Sequence, residues 1–539
     1  MLKAGLLLDD VRVPRWVKEV ADVLKENNIH LQFVVLNNDP GKEQDMKRFF
    51  VYRLLRYIDR KIMRTGNDPF KRVSLDLTGV KIINIKPITS KYSDRFSDED
   101  IQKIKDEQPD ILLRFGFRIL RGDILNSAKF GIISLHHGDT DTYRGGPPAF
   151  WEVVRKEPLT VVTAQILTED LDNGIILKKT FLRTDKTSFH RNQCKIYWAG
   201  KELLVSVLKD FAVKRGDLFG FKKQSIAKSY SSPLYKKPGN FHAAKIFVNW
   251  MWYNFSRKLT DIFFARQWQL IYQFNAGNTI SSNMYRYKKL KPPADRSWAD
   301  PFIYKNGHWY IFFEEKLHSS KKAHISCLQV DDRTSQKHQP VTVLKEDHHL
   351  SYPFIFNHNG TQYMIPESAE AKGIFLYKCI SFPGKWEKIK TLIEGQTAYD
   401  PTLYFHNGYW YLFCNVKENS LLSSDAYLHI FYSKDLLSDP FMPHPQNPLY
   451  RDVRRSRPAG KIINIGGQLF RPSQIGAPNY GHGITINKII ELSPEIFREE
   501  EHDTILPNWN KKIRSIHTIN KENELTVADI QVQKLRWFN

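Results

Sequence analysis

Cysteine is scarce: four residues in 539 cannot build a disulfide scaffold, and Cys194, Cys327, Cys379 and Cys414 lie far apart without metal-ligand spacing. Free thiols in a reducing compartment are the simplest account. Long apolar runs are lacking as well. The most apolar later stretch, Ile246 to Phe255, falls well short of the roughly 20 residues that a bilayer crossing requires. At the start, Asp9 and Asp10 follow a very short apolar run, so this segment reads as a first strand rather than a secretory leader. Acidic residues are in deficit, with 58 Asp and Glu against 80 Lys and Arg, a formal net charge of +22. Such a balance points to anionic partners, whether nucleic acid, phosphorylated sugars or an acidic membrane surface, although a merely solvated basic surface fits it equally well. What is abundant is material to bury. With 41% hydrophobic and 13% aromatic residues, the chain is expected to form two to four domains.

The first two hundred residues alternate strand and helix patterns. Lys3 to Leu8 reads as a strand, Pro14 opens a helix carrying Trp16, Val17, Val20, Val23 and Leu24 on one face, and His30 to Leu36 is again a strand. Lys42 to Arg64 is basic, aromatic and helical by spacing. Further strands are expected at Val80 to Ile85, Asp110 to Phe117, Phe130 to Leu135 and Thr160 to Leu167. Ser97 followed by Asp98, Glu99 and Asp100 marks a helix start, and Ser188 to Phe211 reads as a long closing helix. Alternation of this kind predicts a Rossmann-like α/β domain with a largely parallel sheet.

The strand ending at Leu135 delivers His136, His137, Asp139, Asp141, Tyr143 and Arg144 into a segment rich in Gly and Pro. Reactive side chains on a bendable loop at the exit of a core strand are how α/β proteins present a site. Zinc or manganese binding is not expected, because adjacent histidines on an extended segment point to opposite sides. A second acidic turn, Thr168 to Gly174, follows the next strand.

From about residue 212 to 260 the composition shifts to Lys, Ser, Gly and Pro with scattered aromatics, and reads as a connector between a domain over 1–211 and another over 261–539. Within it, Ile246 to Phe255 is flanked by Lys245, Arg257 and Lys258, which suits either an interdomain helix or a peripheral element on a membrane surface. After Asp261 a repeat emerges in which two apolar runs flank Asn-Gly or Gly-Gly, the strongest short hairpin signal. The turn glycines Gly307, Gly360, Gly408 and Gly467 lie 53, 48 and 59 residues apart (360−307, 408−360, 467−408). Such a period predicts propeller blades.

Residues 1–211 resemble the formyltransferase catalytic domain, which includes methionyl-tRNA and sugar N-formyltransferases. The segments that carry the resemblance are Phe115 to Leu120, Gly131 to His136, Tyr143 to Gly145 and Leu171 to Gly174. It implies transfer of a formyl group from N10-formyltetrahydrofolate to an amine, with His136 and Asp172 handling charge and protons. It also implies cofactor contacts from Phe115, Gly116, Phe117, Ile119, Leu120, Asp139, Tyr143, Arg144 and Gly145. The family's asparagine falls on Ser134, whose hydroxyl is shorter than a carboxamide, so either His137 takes over the oxyanion role, or the acyl donor differs, or formyl transfer has been lost.

The second half resembles the five-bladed propeller of arabinanase- and invertase-like glycosidases, and the propeller accompanying glucosamine inositolphosphorylceramide transferases. That likeness implies funnel carboxylates at Asp300, Glu314, Glu367 and Asp400, although the second blade carries Ser351-Tyr352-Pro353 where its neighbours carry Asp-Pro. Together these readings predict a cytoplasmic formyl or one-carbon transferase acting on an amino sugar of a nucleotide-sugar, glycolipid or surface polysaccharide. The propeller would hold the glycan. The alternatives are a glycoside hydrolase using the propeller carboxylates and a non-catalytic glycan-binding protein. Nucleic acid is disfavoured as a partner, because the propeller stands where the tRNA branch carries a small barrel.

Overall fold

The computed structural model describes residues 2–27, 29–39, 47–90, 92–169, 174–213, 233–274, 284–331, 339–417, 424–425 and 427–536. It divides into two compact units, Met1–Asn254 and Phe255–Asn539.

The first unit is built on β1 (Leu2–Leu8), α1 (Arg15–Glu26), β2 (Ile29–Asn37), α2 (Phe50–Ile62), β3 (Lys81–Ile85) and α3 (Asp98–Asp106). It continues through β4 (Ile111–Arg114), β5 (Ile132–His136), α4 (Trp151–Arg155), β6 (Leu159–Ile166), β7 (Ile175–Arg183) and α5 (Phe189–Val213). The seven strands form one sheet in the order β7-β6-β5-β4-β1-β2-β3. From β3 to β5 the pairing is parallel, and β6 and β7 are antiparallel. Local signals act as expected. Trp16, Val17, Val20 and Leu24 are the buried face of α1, and the Ser97 side chain caps α3 by accepting from the Asp100 amide.

The connector does not stay apart from the first unit. α6 (Asn240–Phe263) begins inside it, and Ile246 and Trp250 pack with Leu55 of α2, Phe150, Val153 and Phe189 in one core cluster. The compact unit therefore extends to Asn254, beyond the position near residue 211 expected from composition, because two bulky residues one helical turn apart bury against it.

Among the described residues the second unit comprises five sheets, each a propeller blade. β8 (Phe264–Phe274) pairs antiparallel with the final strand, Leu525–Leu535, so the two ends of the chain segment share one blade. Inner strands of the next three blades are β9 (Arg296–Asn306), β10 (Ser351–His358) and β11 (Ala398–His406). Their hairpin turns place Gly307, Gly360 and Gly408 at φ +67°, +76° and +81°, and Gly467 of the fourth repeat lies at +86°, a region that L side chains adopt only at a cost.

Candidate active site and propeller axis

A cavity of about 1260 Å³ opens at the carboxyl ends of β4 and β5 in the first unit. Its polar floor is a row across three strands. Arg114 on β4 is register partner to Ser134 on β5, which is partner to Gln165 on β6. The Arg114 guanidinium donates from Nη1 to the Ser134 hydroxyl at 3.2 Å, and from Nη2 to the carbonyls of Phe117 and Arg118 at 3.0 and 2.8 Å. Ser134 is buried, and its oxygen, accepting from Arg114, keeps its own proton to donate. The buried Gln165 Oε1 has no hydrogen-bond partner, which leaves an acceptor in the lining of the cavity.

His136 also lines this cavity and is half-buried. Its Nε2 lies 2.9 Å from the Tyr143 carbonyl oxygen, which can only accept, so Nε2 carries the proton and the neutral ring keeps its basic lone pair on Nδ1. Tyr143 itself is pinned by its hydroxyl, which donates to Glu157 at 2.8 Å, and by stacking on Tyr235 at 5.2 Å. Of the other expected positions, Ile119, Leu120 and Gly145 line the cavity. Asp172 lies outside the described residues.

Several expected contacts go elsewhere. His137 turns to the other side, half-buried with its Nε2 enclosed, stacked on Tyr197 at 3.8 Å and edge-on to Trp16 at 5.9 Å. Burial, and secondarily His136, hold its pKa down to about 3, and it does not line the cavity. Asp139 pairs with Lys179 at 2.6 Å instead of lining the cavity, and Asp141 shares that lysine at 3.0 Å. Phe115 packs edge-on to Trp16, and Phe117 holds a left-handed φ of 63° with its amide donating to Asp9 Oδ1 at 2.7 Å. Between them Gly116 is obligatory, since a Cβ there would sit 2.4 Å from the Asp9 amide nitrogen. None of these three lines the cavity, although the Phe117 carbonyl accepts from Arg114, which does. Arg144 and Gly145 form a short strand paired with Leu234 and Tyr235. The structure adds cations that sequence reasoning passed over: Arg48, Arg114, Arg121, Lys236 and Lys237 all line the cavity.

At the propeller axis, Asp300, Tyr352 and Asp400 occupy equivalent positions before proline on β9, β10 and β11. Each sits at a register irregularity with a left-handed φ, at 50°, 47° and 50°. Each such residue costs of order 1–3 kcal/mol, so the strain is held by surrounding contacts. Asp400 receives Arg457 through two nitrogens, at 2.5 and 3.0 Å, and Gln474 at 2.8 Å. Arg457 also reaches Glu367 at 3.3 Å. Tyr352 replaces the missing acid of the second blade, with its hydroxyl accepting from the Gly460 amide at 2.7 Å and lying 2.8 Å from Thr402 Oγ1.

Asp300 accepts from Thr518 at 2.6 Å, and its amide donates to Asp529 at 2.9 Å. His517 stands 2.7 Å from Asp529 and 3.7 Å from Asp300 and stacks on Trp268. The ligand atoms of Asp300, His517 and Asp529 lie within 4.8 Å of one another, a grouping that could hold a metal ion, as could Asp68, His190 and Cys194. Despite burial, the two carboxylates raise the His517 pKa to about 9. Burial pushes Glu314 up to about 8 and Asp300 up to about 6.

These shifts have one sign for stability. The folded propeller holds protons on Glu314 from about 4.5 to 8 and on His517 from 6.5 to about 9 that the unfolded chain has released. Folding stability is therefore expected to fall as pH rises through this window. Urea unfolding monitored by tryptophan fluorescence across that range checks it, and a flat or rising profile would contradict the assignment.

Residues 291–537 match a protein family described as "Glucosamine inositolphosphorylceramide transferase 1, N-terminal". A glucosamine inositolphosphorylceramide transferase 1 of Arabidopsis thaliana is 34% identical over 206 residues, covering 38% of this chain and 27% of that protein. A methionyl-tRNA formyltransferase of Thermodesulfovibrio yellowstonii is 29% identical over 168 residues, covering 31% of this chain and 50% of that protein. The matched stretch thus spans about a quarter of the plant relative, from its 27% coverage, and half of the bacterial one, at 50%. Among solved structures, an exo-beta-1,3-galactanase from Clostridium thermocellum aligns with a TM-score of 0.33 at 13% identity, over 48% of this chain and 62% of that one.

Proposed function

From a chain that joins a formyltransferase-like α/β unit to a propeller, related to a glucosamine inositolphosphorylceramide transferase and to formyltransferases, we propose a one-carbon transferase. It passes a formyl group from N10-formyltetrahydrofolate to the amine of an amino sugar, and the propeller binds glycan. The observation that carries this reading is the convergence of His136 with the Arg114–Ser134–Gln165 row on one cavity.

The lining suits the folate. Phe49, Tyr92, Ile119, Leu120, Leu135 and Leu167 offer apolar walls for a flat heteroaromatic ring, and Gln165 Oε1 offers an acceptor to a ring N–H. Arg48, Arg121, Lys236 and Lys237 offer cations to carboxylates or to a phosphorylated acceptor. When bound, the cofactor supplies the electrophilic formyl carbon. His136, with Nδ1 as its basic atom, takes the proton of the attacking amine. Ser134, polarised by Arg114, directs an O–H toward negative charge developing on the acyl oxygen. The shorter hydroxyl is thus supported by a guanidinium on the neighbouring strand, 3.2 Å away.

Calorimetric titration of the full chain with 5-formyltetrahydrofolate, a stable analogue, is expected to give saturable binding that weakens at least tenfold in Gln165→Leu. No heat from the unaltered chain would overturn the donor assignment. Glycoside hydrolysis is the second reading, favoured by two buried carboxyls, Glu314 and Asp300, whose pKa values burial raises. Against it, Arg457 and Gln474 already engage Asp400.

A further inference from the structure

Both helices at the mouth of the cavity present apolar side chains to solvent. On α2, Phe50 and Tyr57 are 63% and 60% exposed, with Leu54 between them on the same face. On α6, Phe241, Val248 and Trp252 are 90%, 63% and 66% exposed and share a face by their spacing of seven and four. The opposite faces of the same helices, through Leu55, Ile246 and Trp250, meet in one core cluster. Asn240 ties the two helix starts together, accepting from the Val51 amide at 3.1 Å and donating to the Lys47 carbonyl at 2.9 Å. These apolar faces are therefore rigid parts of the fold, not frayed ends.

Charge on this surface has one sign. Between residues 47 and 64 the sole acid is Asp59, which is fully buried, and residues 240–254 contain none. Lys47, Arg48, Lys61 and Lys245 are exposed. Exposed aliphatic and aromatic groups framed by cations match an anionic lipid surface, where apolar groups enter the acyl boundary and cations meet headgroups. A nucleic acid would be served by the cations but not by Val248 or Leu54. The surface also runs into the cavity: Arg48 and Phe49 line it directly before α2, and Lys236 and Lys237 line it directly before α6.

We infer that the exposed faces of α2 and α6 seat the first unit on an anionic membrane surface, so that the cavity mouth meets an amine carried on a lipid headgroup. Docking stands on the surface alone; the lipid-linked acceptor rests also on the transfer reading above. The full chain is expected to float with vesicles of three parts phosphatidylcholine to one part phosphatidylserine, less so as salt is raised, and poorly with phosphatidylcholine alone. Phe241→Glu combined with Val248→Glu should weaken flotation about tenfold or more, since each loses buried apolar area and adds like charge to the membrane. Both side chains face solvent, so an unchanged melting temperature verifies that the variant folds.

Equal flotation of the variant and the unaltered chain, or retention on RNA without vesicle binding, would overturn docking. Turnover on a lipid-linked amino sugar in vesicles should fall in the variant while turnover on a soluble amino sugar holds; equal turnover on both would overturn the lipid acceptor and leave docking intact. No turnover on either acceptor by the unaltered chain would count against the transfer reading, with flotation still deciding the surface.

Discussion

Replacing His136 with alanine is expected to lower turnover on an amine acceptor by about 100- to 10,000-fold, the range typical of losing a positioned proton acceptor. His136 is half-buried on the cavity wall, and its Nε2–H is committed to the Tyr143 carbonyl at 2.9 Å. That contact orients Nδ1 as the ring's basic atom. Removing the imidazole therefore removes the base but leaves the Arg114–Ser134–Gln165 row, so cofactor binding should persist within a few-fold while turnover collapses. The adjacent histidine supplies the control. His137 stacks on Tyr197 in an aromatic pocket, and its buried Nε2 has no partner. His137→Phe keeps the ring and removes an unsatisfied nitrogen, so turnover should survive with stability within about 1 kcal/mol of the unaltered chain. Rates measured under saturating cofactor, with thermal unfolding alongside, separate the two. The reverse pattern would show that chemistry runs through His137.

The second large effect lies in the propeller. Arg457→Leu should destabilise the second unit by about 3–5 kcal/mol, because it strands Asp400 as a buried carboxylate without its cation. Arg457 holds Asp400 at 2.5 and 3.0 Å, reaches Glu367 at 3.3 Å, and is packed against the rings of Tyr399 and Tyr480 at 5.1 and 5.2 Å. The left-handed φ of 50° at Asp400 depends on these contacts for its support. By contrast, Glu367→Gln should be mild. Burial, and then the neighbouring Asp400, raise the Glu367 pKa well above its usual value, and a carboxamide oxygen can still accept from the Asp400 amide. Chemical denaturation followed by circular dichroism would resolve the difference. Equal losses in the two variants would contradict this division of charge.

The exposed apolar faces are partly legible in the sequence. Ile246 to Phe255 flanked by cations suits either burial or lipid contact, and α6 divides its faces: Ile246 and Trp250 enter the core while Val248 and Trp252 face out. Spacing assigns residues to faces of a helix, but only docking on Leu55 and Phe189 decides which face is covered. The funnel carboxylates divide in the same way. Asp300 and Asp400 could be picked out from a repeated Asp-Pro, yet the cation that engages Asp400 comes from 57 residues downstream, on a segment with no repeat signature.

What the sequence determined alone is whatever depends on near neighbours. Periodicity set the strands and helices of the first unit, Asn-Gly turns with their positive φ set the blades, and the polar loop after Leu135 marked where reactive groups emerge. Alternation along β5 even required His136 and His137 to diverge. Tertiary structure decided which of them faces the cavity, and it decided the row that surrounds Ser134. Arg114, Ser134 and Gln165 become neighbours only through the register of three strands joined by long connections. Register is a property of the assembled sheet, where buried faces choose their partners, and no local stretch of chain carries it.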